Sequence, residues 1–222
     1  MCFQFSLLLA CSSLMGNNIR VYIHACTIGD WKEILVEQME RLVSSGLYDA
    51  SEGVYIGVLG KGDISGFFSH YPKLQLAFSS QEISLYERPT LYCLQEAALL
   101  HPEDYFLYIH TKGVTRNGSA CVRDWRMLLE YFNIDCWNDC VDALDAGYDI
   151  CGVNWHNQPQ PHYSGNFWWS KGSYLLTLPK NIGREYLAPE MWIGLNHPYF
   201  CCLHNSPVNH YYTRYPESLY RK

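Results

Sequence analysis

Apolar positions along this chain follow two periods that take turns. Short, mainly apolar stretches, Ile19 to Ala25, Val54 to Leu59, Leu74 to Phe78, Tyr105 to His110 and Asp149 to Val153, carry β-branched and aromatic residues and predict buried strands. Between them the spacing turns helical. Asp30 stands as a cap before a helix from Trp31 to about Ser45, with Ile34, Leu35, Met39 and Leu42 on one face and Gly46 closing it. Gly60-Lys61-Gly62 ends the second strand, and Pro89, a residue favoured in the first helical turn, opens a helix running to Leu100. Strand and helix in alternation predict an α/β, Rossmann-like fold: a mostly parallel central sheet flanked by helices.

The second half is less regular. Val122 to Phe132 and Ile134 to Ala146 read as helices, Ser164 to Trp169 as an aromatic strand, and Ser173 to Leu178 as a short helix. A Pro-rich polar loop covers 157–162, and Gly, Pro, His and Tyr punctuate everything after Pro179. Without an internal repeat or a low-complexity linker, residues 19–222 read as one domain, preceded by an extension over residues 1–18. Leu7-Leu8-Leu9-Ala10-Cys11 resembles a short signal core but lacks a preceding Lys or Arg and is too short to span a bilayer. The expected compartment is cytoplasmic, with secretion or anchoring as the alternative.

The chemistry concentrates where the fourth apolar run stops. Tyr105-Phe106-Leu107-Tyr108-Ile109 is followed by His110-Thr111-Lys112-Gly113, and in open α/β sheets ligands sit at the carboxyl ends of strands. A net charge of −6, with no basic run before the last two residues, argues against a nucleic-acid surface. Ten cysteines include no C-x-x-C pair, which favours free thiols over a disulfide scaffold or a zinc site. The 18 Tyr and 7 Trp exceed what the apparent core runs hold, and exposed aromatic faces suit sugar rings. No G-x-G-x-x-G or Walker sequence is present, so a dinucleotide or P-loop site lacks support.

The order of elements, together with Ile109-His110-Thr111-Lys112-Gly113, Trp125-Arg126, Ser164-Gly165-Asn166-Phe167-Trp168-Trp169 and Pro189-Glu190-Met191-Trp192, resembles GT-A-fold glycosyltransferases. The similarity is to those of the rhamnan-synthesis type and of large algal viruses, over about Ile19 to Tyr212. It implies transfer of a sugar from a UDP- or dTDP-sugar donor to a hydroxyl of a glycan or glycoprotein. One departure stands out: most such enzymes end this strand in Asp-x-Asp, which holds a divalent metal, whereas here the residues are His110-Thr111-Lys112. A cationic Lys112 and a His110 can stabilise a leaving diphosphate directly, so dependence on Mn2+ or Mg2+ is doubtful.

The resemblance also implies roles for individual residues. Ala25, Cys26 and Thr27 fall where the nucleoside is received, Thr111 lies in the strand-end tract, and His204 takes the place of a C-terminal histidine near the diphosphate or a metal, with His210 in reserve. Glu190 takes the place of the base that deprotonates the acceptor. Glu87, Arg88 and Thr90 open a helix, whose backbone N–H groups suit a base or phosphate. Strand alternation through Ser164 to Trp169 puts Asn166 and Trp168 on one face, and these, with Trp155, are candidates for the sugar or acceptor. Competing readings are a non-catalytic carbohydrate-binding protein and a nucleotide-sugar-binding pseudoenzyme.

Overall fold

The computed structural model describes residues 17–221 except residue 117. Most of the expected N-terminal extension, residues 1–16, lies outside the described residues. The strands are β1 (Ile19–Cys26), β2 (Ser51–Leu59), β3 (Leu74–Ser80), β4 (Tyr105–His110), β5 (Ile150–Gly152), β6 (Trp155–His156), β7 (His162–Tyr163), β8 (Trp168–Lys171) and β9 (Phe200–Cys202). The helices are α1 (Trp31–Ser44), α2 (Leu47–Ala50), α3 (Ser65–His70), α4 (Arg88–Leu100), α5 (Ala120–Glu130), α6 (Trp137–Asp145), α7 (Gly172–Leu175) and α8 (Ala188–Trp192).

Seven strands form one sheet in the order β3-β2-β1-β4-β8-β5-β9, and β6 and β7 form a separate hairpin. All pairings in the large sheet are parallel except those of β8, which runs against both β4 and β5. The α/β architecture with a mostly parallel central sheet is therefore as the periodicity predicts. Both faces are covered, as a parallel sheet requires. Val21, Ile23 and Ala25 of β1, Leu107 and Ile109 of β4 and Trp169 of β8 pack with Leu35, Met39 and Leu42 of α1 on one face. Tyr22, Phe106, Tyr108 and Trp168 pack with Leu91, Leu94 and Ala98 of α4 on the other.

Local differences from the sequence reading have physical causes. Asp30 precedes α1, yet its side chain makes no capping bond; its backbone carbonyl receives the Ile34 N–H at 3.1 Å. Instead of two cleanly separated helices, α5 runs into a π-helical turn, Tyr131–Asp135, before α6. The strand expected from Ser164 starts only at Trp168, because Gly165 (φ 99°) and Asn166 (φ 56°) adopt the left-handed conformation and turn the chain there. Among the described residues no helix is long and apolar enough to cross a membrane.

Candidate functional site

The strand order reverses between β1, which leads outward to β2 and β3, and β4, which leads the other way. Such a switch point opens a crevice at the strands' carboxyl ends. Here it holds a cavity of about 410 Å³ lined by His24, Cys26, Glu87, His110, Thr111, Lys112, Arg116, Trp125, Gly165, Asn166 and Glu190, with Tyr86, Tyr186 and Tyr211 among the other lining residues.

Parallel register sets His24 beside His110. The two strand ends are then laced together: Thr111 N–H donates to the His24 carbonyl at 2.9 Å, and Cys26 N–H donates to Thr111 Oγ1 at 3.1 Å. His24 Nδ1 pairs with Thr90 Oγ1 at 2.8 Å, inside the start of α4. Burial alone pushes the His24 imidazole down to about 3, so it is neutral. Gly29 (φ 54°) lets the loop after β1 touch the loop after β4: a Cβ there would lie 2.3 Å from the Val114 carbonyl oxygen. The close approach that this glycine permits is thus to the protein's own backbone.

Lys112 is the half-buried cation of the cavity. Its ammonium lies 3.5 Å from the centroid of the Trp125 indole, and among the described residues no hydrogen bond or ion pair engages it. Burial lowers it to about 8 although the carboxylates of Glu190 and Glu87 act to raise it, so at neutral pH it remains mostly charged. His110 behaves differently. Burial, and then the charge of Lys112, hold it well below the ordinary histidine range, and Nε2 donates to the Gly165 carbonyl at 3.0 Å. A neutral imidazole whose Nε2 is tied to a carbonyl brings no positive charge to a diphosphate; it orients Gly165.

Gly165 in turn donates its N–H to Glu190 Oε1 at 2.6 Å, leaving Oε2 without a hydrogen bond among the described residues. Gly165 has φ 99°, which side-chain-bearing residues rarely adopt, and a Cβ there would crowd Leu129 and Trp125, so glycine suits the turn that lies against α5 and bridges His110 to Glu190. Glu87, on the same cavity, is raised by its burial and then by the charge of Glu190, with Lys112 and Arg88 opposing. Asn166 reaches the cavity too; its Oδ1 accepts the Trp168 indole N–H at 2.9 Å, and its buried Nδ2 has no partner among the described residues.

Other expected site residues stand elsewhere. Trp168 and Trp169 point to opposite faces as alternation requires, but both are fully buried, so neither is a sugar platform. Trp155 stacks on Phe200 at 4.2 Å and donates to Asn157, away from the cavity wall. His204 stacks on Phe132 at 5.1 Å and pairs with the Tyr215 hydroxyl at 3.1 Å, out of contact with the cavity. Its reserve, His210, lies parallel to Trp125 with ring centroids 5.2 Å apart, close enough for Lys112 to help burial push it down to about 4. Arg88 is spent on the carbonyls of Leu85, Gly183 and Glu185. Thr27 braces the loop after β2 through the Leu59 carbonyl and Gly62 N–H, and Ala25 is in the core. Arg116 and the three cavity tyrosines carried no local sequence signal, since it is distant segments that bring them together.

The donor set does not fit a resident Mn2+ or Mg2+. These ions ask for several oxygen ligands, whereas the floor of the cavity presents an ammonium, and among the described residues no three His, Cys, Asp or Glu side chains are grouped to hold a metal. Asp104, at the opposite end of β4, is taken by Arg20 at 2.7 Å.

No curated protein sequence matches the chain. Among solved structures, 4-diphosphocytidyl-2C-methyl-D-erythritol synthase is similar at 12% identity, with 87% of this chain and 91% of that one covered and a TM-score of 0.48. Glucosyl-3-phosphoglycerate synthase from Mycobacterium tuberculosis, solved with Mn2+, UDP and phosphoglyceric acid, is similar at 12% identity, 85% and 69% coverage and a TM-score of 0.45. A cytidylyltransferase from Leptospira borgpetersenii is similar at 15% identity, 86% and 77% coverage and a TM-score of 0.45. A family model does match in sequence, over residues 20–181, from β1 through the end of β4 and past β8. The chain belongs to the family described as Domain of unknown function (DUF8361).

Proposed function

We propose that the cavity binds a nucleotide-diphosphate sugar and that the protein is a glycosyltransferase moving the sugar to a hydroxyl of a glycan or glycoprotein. The observation that carries this reading is Lys112: a half-buried, charged ammonium at the switch-point cavity that no anion hydrogen-bonds among the described residues, with two carboxylates acting on it only at a distance. A half-buried cation without a bonded counter-ion suits an anionic ligand. The resemblance of the His110-to-Gly113 and Ser164-to-Trp169 tracts to rhamnan-synthesis-type and algal-virus glycosyltransferases supports a UDP- or dTDP-sugar as that ligand.

In this reading the bond between the anomeric carbon and the diphosphate oxygen breaks, and the electron pair leaves with the diphosphate. Lys112 stabilises the charge gathering there, where a preorganised donor acts most strongly. The acceptor oxygen bonds to the anomeric carbon, and its proton passes to the free Oε2 of Glu190. His110 works at one remove, fixing Gly165 and thereby the other Glu190 oxygen. Cys26 and Thr111 line the donor side, and no step depends on a metal.

The test is a panel of UDP- and dTDP-sugars screened by thermal shift with chelator and with manganese, followed by an assay for transfer. Only a ligand that prefers the folded state raises the midpoint. A nucleotide sugar should do so in chelator, and Lys112→Ala should abolish the rise. No shift with any donor, or a shift unchanged in Lys112→Ala, overturns the reading.

A further inference from the structure

Topology divides the cavity about Lys112. Cys26, Ile28, Ile83 and Ser84 come from β1 and the turn after β3, on one side of β4. Asn166 comes from the turn before β8, on the other side, and Glu190 of α8 joins it through the Gly165 N–H; Tyr186, from the approach to α8, and Tyr211, from the C-terminal segment, complete the lining, Tyr186 against Tyr86 and Tyr211 against Trp125. A donor whose diphosphate meets Lys112 and whose nucleoside lies toward β1 leaves the Glu190 side for the second substrate.

That side is aromatic and open. Tyr186 is 65% exposed and Tyr211 48%, and both line the cavity. Neither is a loose surface ring. Tyr86 meets Tyr186 edge-on with centroids 5.2 Å apart, and Arg88 pins the backbone just before Tyr186 through the carbonyls of Gly183 and Glu185 at 2.7 Å each. Tyr211 packs edge-on against Trp125 at 5.2 Å, has the Arg116 guanidinium 5.1 Å from its centroid, and is braced by its N–H to Asn209 Oδ1 at 3.0 Å. Both tyrosines lie within electrostatic reach of Glu190. Held, exposed rings beside a carboxylate suit C–H faces and hydroxyls, and with Arg116 offsetting Glu87 and Glu190 on the same lining, no excess of charge there calls for an ionic acceptor.

We propose that Tyr186 and Tyr211 form the acceptor subsite and hold a neutral pyranose of a glycan against Glu190. This rests on the glycosyltransferase reading of Lys112 and Glu190, and it names binding residues that the tryptophan-rich tract does not supply.

The experiment probes an array of neutral oligosaccharides with the full chain in saturating UDP, and measures UDP binding separately by calorimetry, for the wild type, Tyr186→Ala, Tyr186→Phe and Tyr211→Ala. Wild-type chain should retain at least one glycan. Tyr186→Ala and Tyr211→Ala should weaken that retention by about ten-fold or more, with Tyr186→Phe close to wild type and UDP affinity unchanged throughout. Equal retention by the alanine variants, no glycan retained by a wild type that binds UDP, or loss of UDP binding in Tyr186→Ala would each overturn the subsite. Failure of the wild type to bind UDP, and dTDP in its place, sinks the donor reading instead, and glycan retention dependent on Tyr186 would still uphold the sugar platform.

Discussion

Strands β4 and β8 lie side by side, pair Leu107 with Trp169 and Tyr108 with Trp168, and share an aromatic character, yet they do opposite jobs. β4 runs with the sheet and delivers the polar tract after its last residue, Thr111 and Lys112, into the crevice at the switch point. β8 runs against it, so its amino end faces the crevice and the residues before it, Gly165 and Asn166, line the cavity. Its tryptophans are carried back into the two cores. In a mixed sheet the direction of a strand decides whether chemistry follows it or precedes it.

The largest effect expected from this contrast is on stability. Trp168→Ala and Trp169→Ala should each cost about 3–5 kcal/mol in urea denaturation, because both indoles are wholly buried and both donate a hydrogen bond. A near-neutral change at either, paired with weakened substrate binding, would break the contrast. Lys112→Ala should do the reverse, lowering turnover by roughly two to three powers of ten with no loss of stability, since it removes a preorganised charge held against burial. Unfolding of that variant would mean that Lys112 serves the core.

How much of this was legible follows the same line. β1, β2 and β4 could be read because each is mainly apolar and mostly buried on both faces, and the end of β4 could be read as a site because polar residues interrupt its continuous apolar run abruptly. The start of β8 could not, since alternation assumes extended backbone and Gly165 and Asn166 depart from it. His204 and His210 look alike in sequence; only packing against Phe132 or Trp125 separates them. Arg88 opens a helix as expected, but its partners lie about a hundred residues ahead. Local pattern carries no record of contacts at that separation.

Two smaller effects sharpen the comparison. His24 is neutral in the fold with a value of about 3 but takes up a proton near 6.5 when unfolded, so the unfolded state binds more protons between these values. Its contribution to stability is therefore full above about 6.5 and falls as pH drops, with a slope approaching 1.4 kcal/mol per pH unit. His24→Asn should show a shallower loss in urea titrations between pH 6.5 and 4; an identical slope would contradict the assignment. Arg88→Ala should cost roughly 1–3 kcal/mol in the anchoring of the 183–187 segment, read as faster amide hydrogen exchange there with β1 and β4 unaffected.

The central claim is that the Lys112 ammonium binds the donor's diphosphate. Calorimetric titration of the nucleotide sugar selected by the thermal-shift panel, between pH 7 and 9 in chelator, tests it most directly. Lys112 loses its proton at about 8, so affinity should fall as pH rises, by about ten-fold at pH 9, and Lys112→Ala should bind weakly at every pH with no such slope. A wild-type affinity that stays constant from pH 7 to 9, or a Lys112→Ala chain that shows the same decline, would contradict the account.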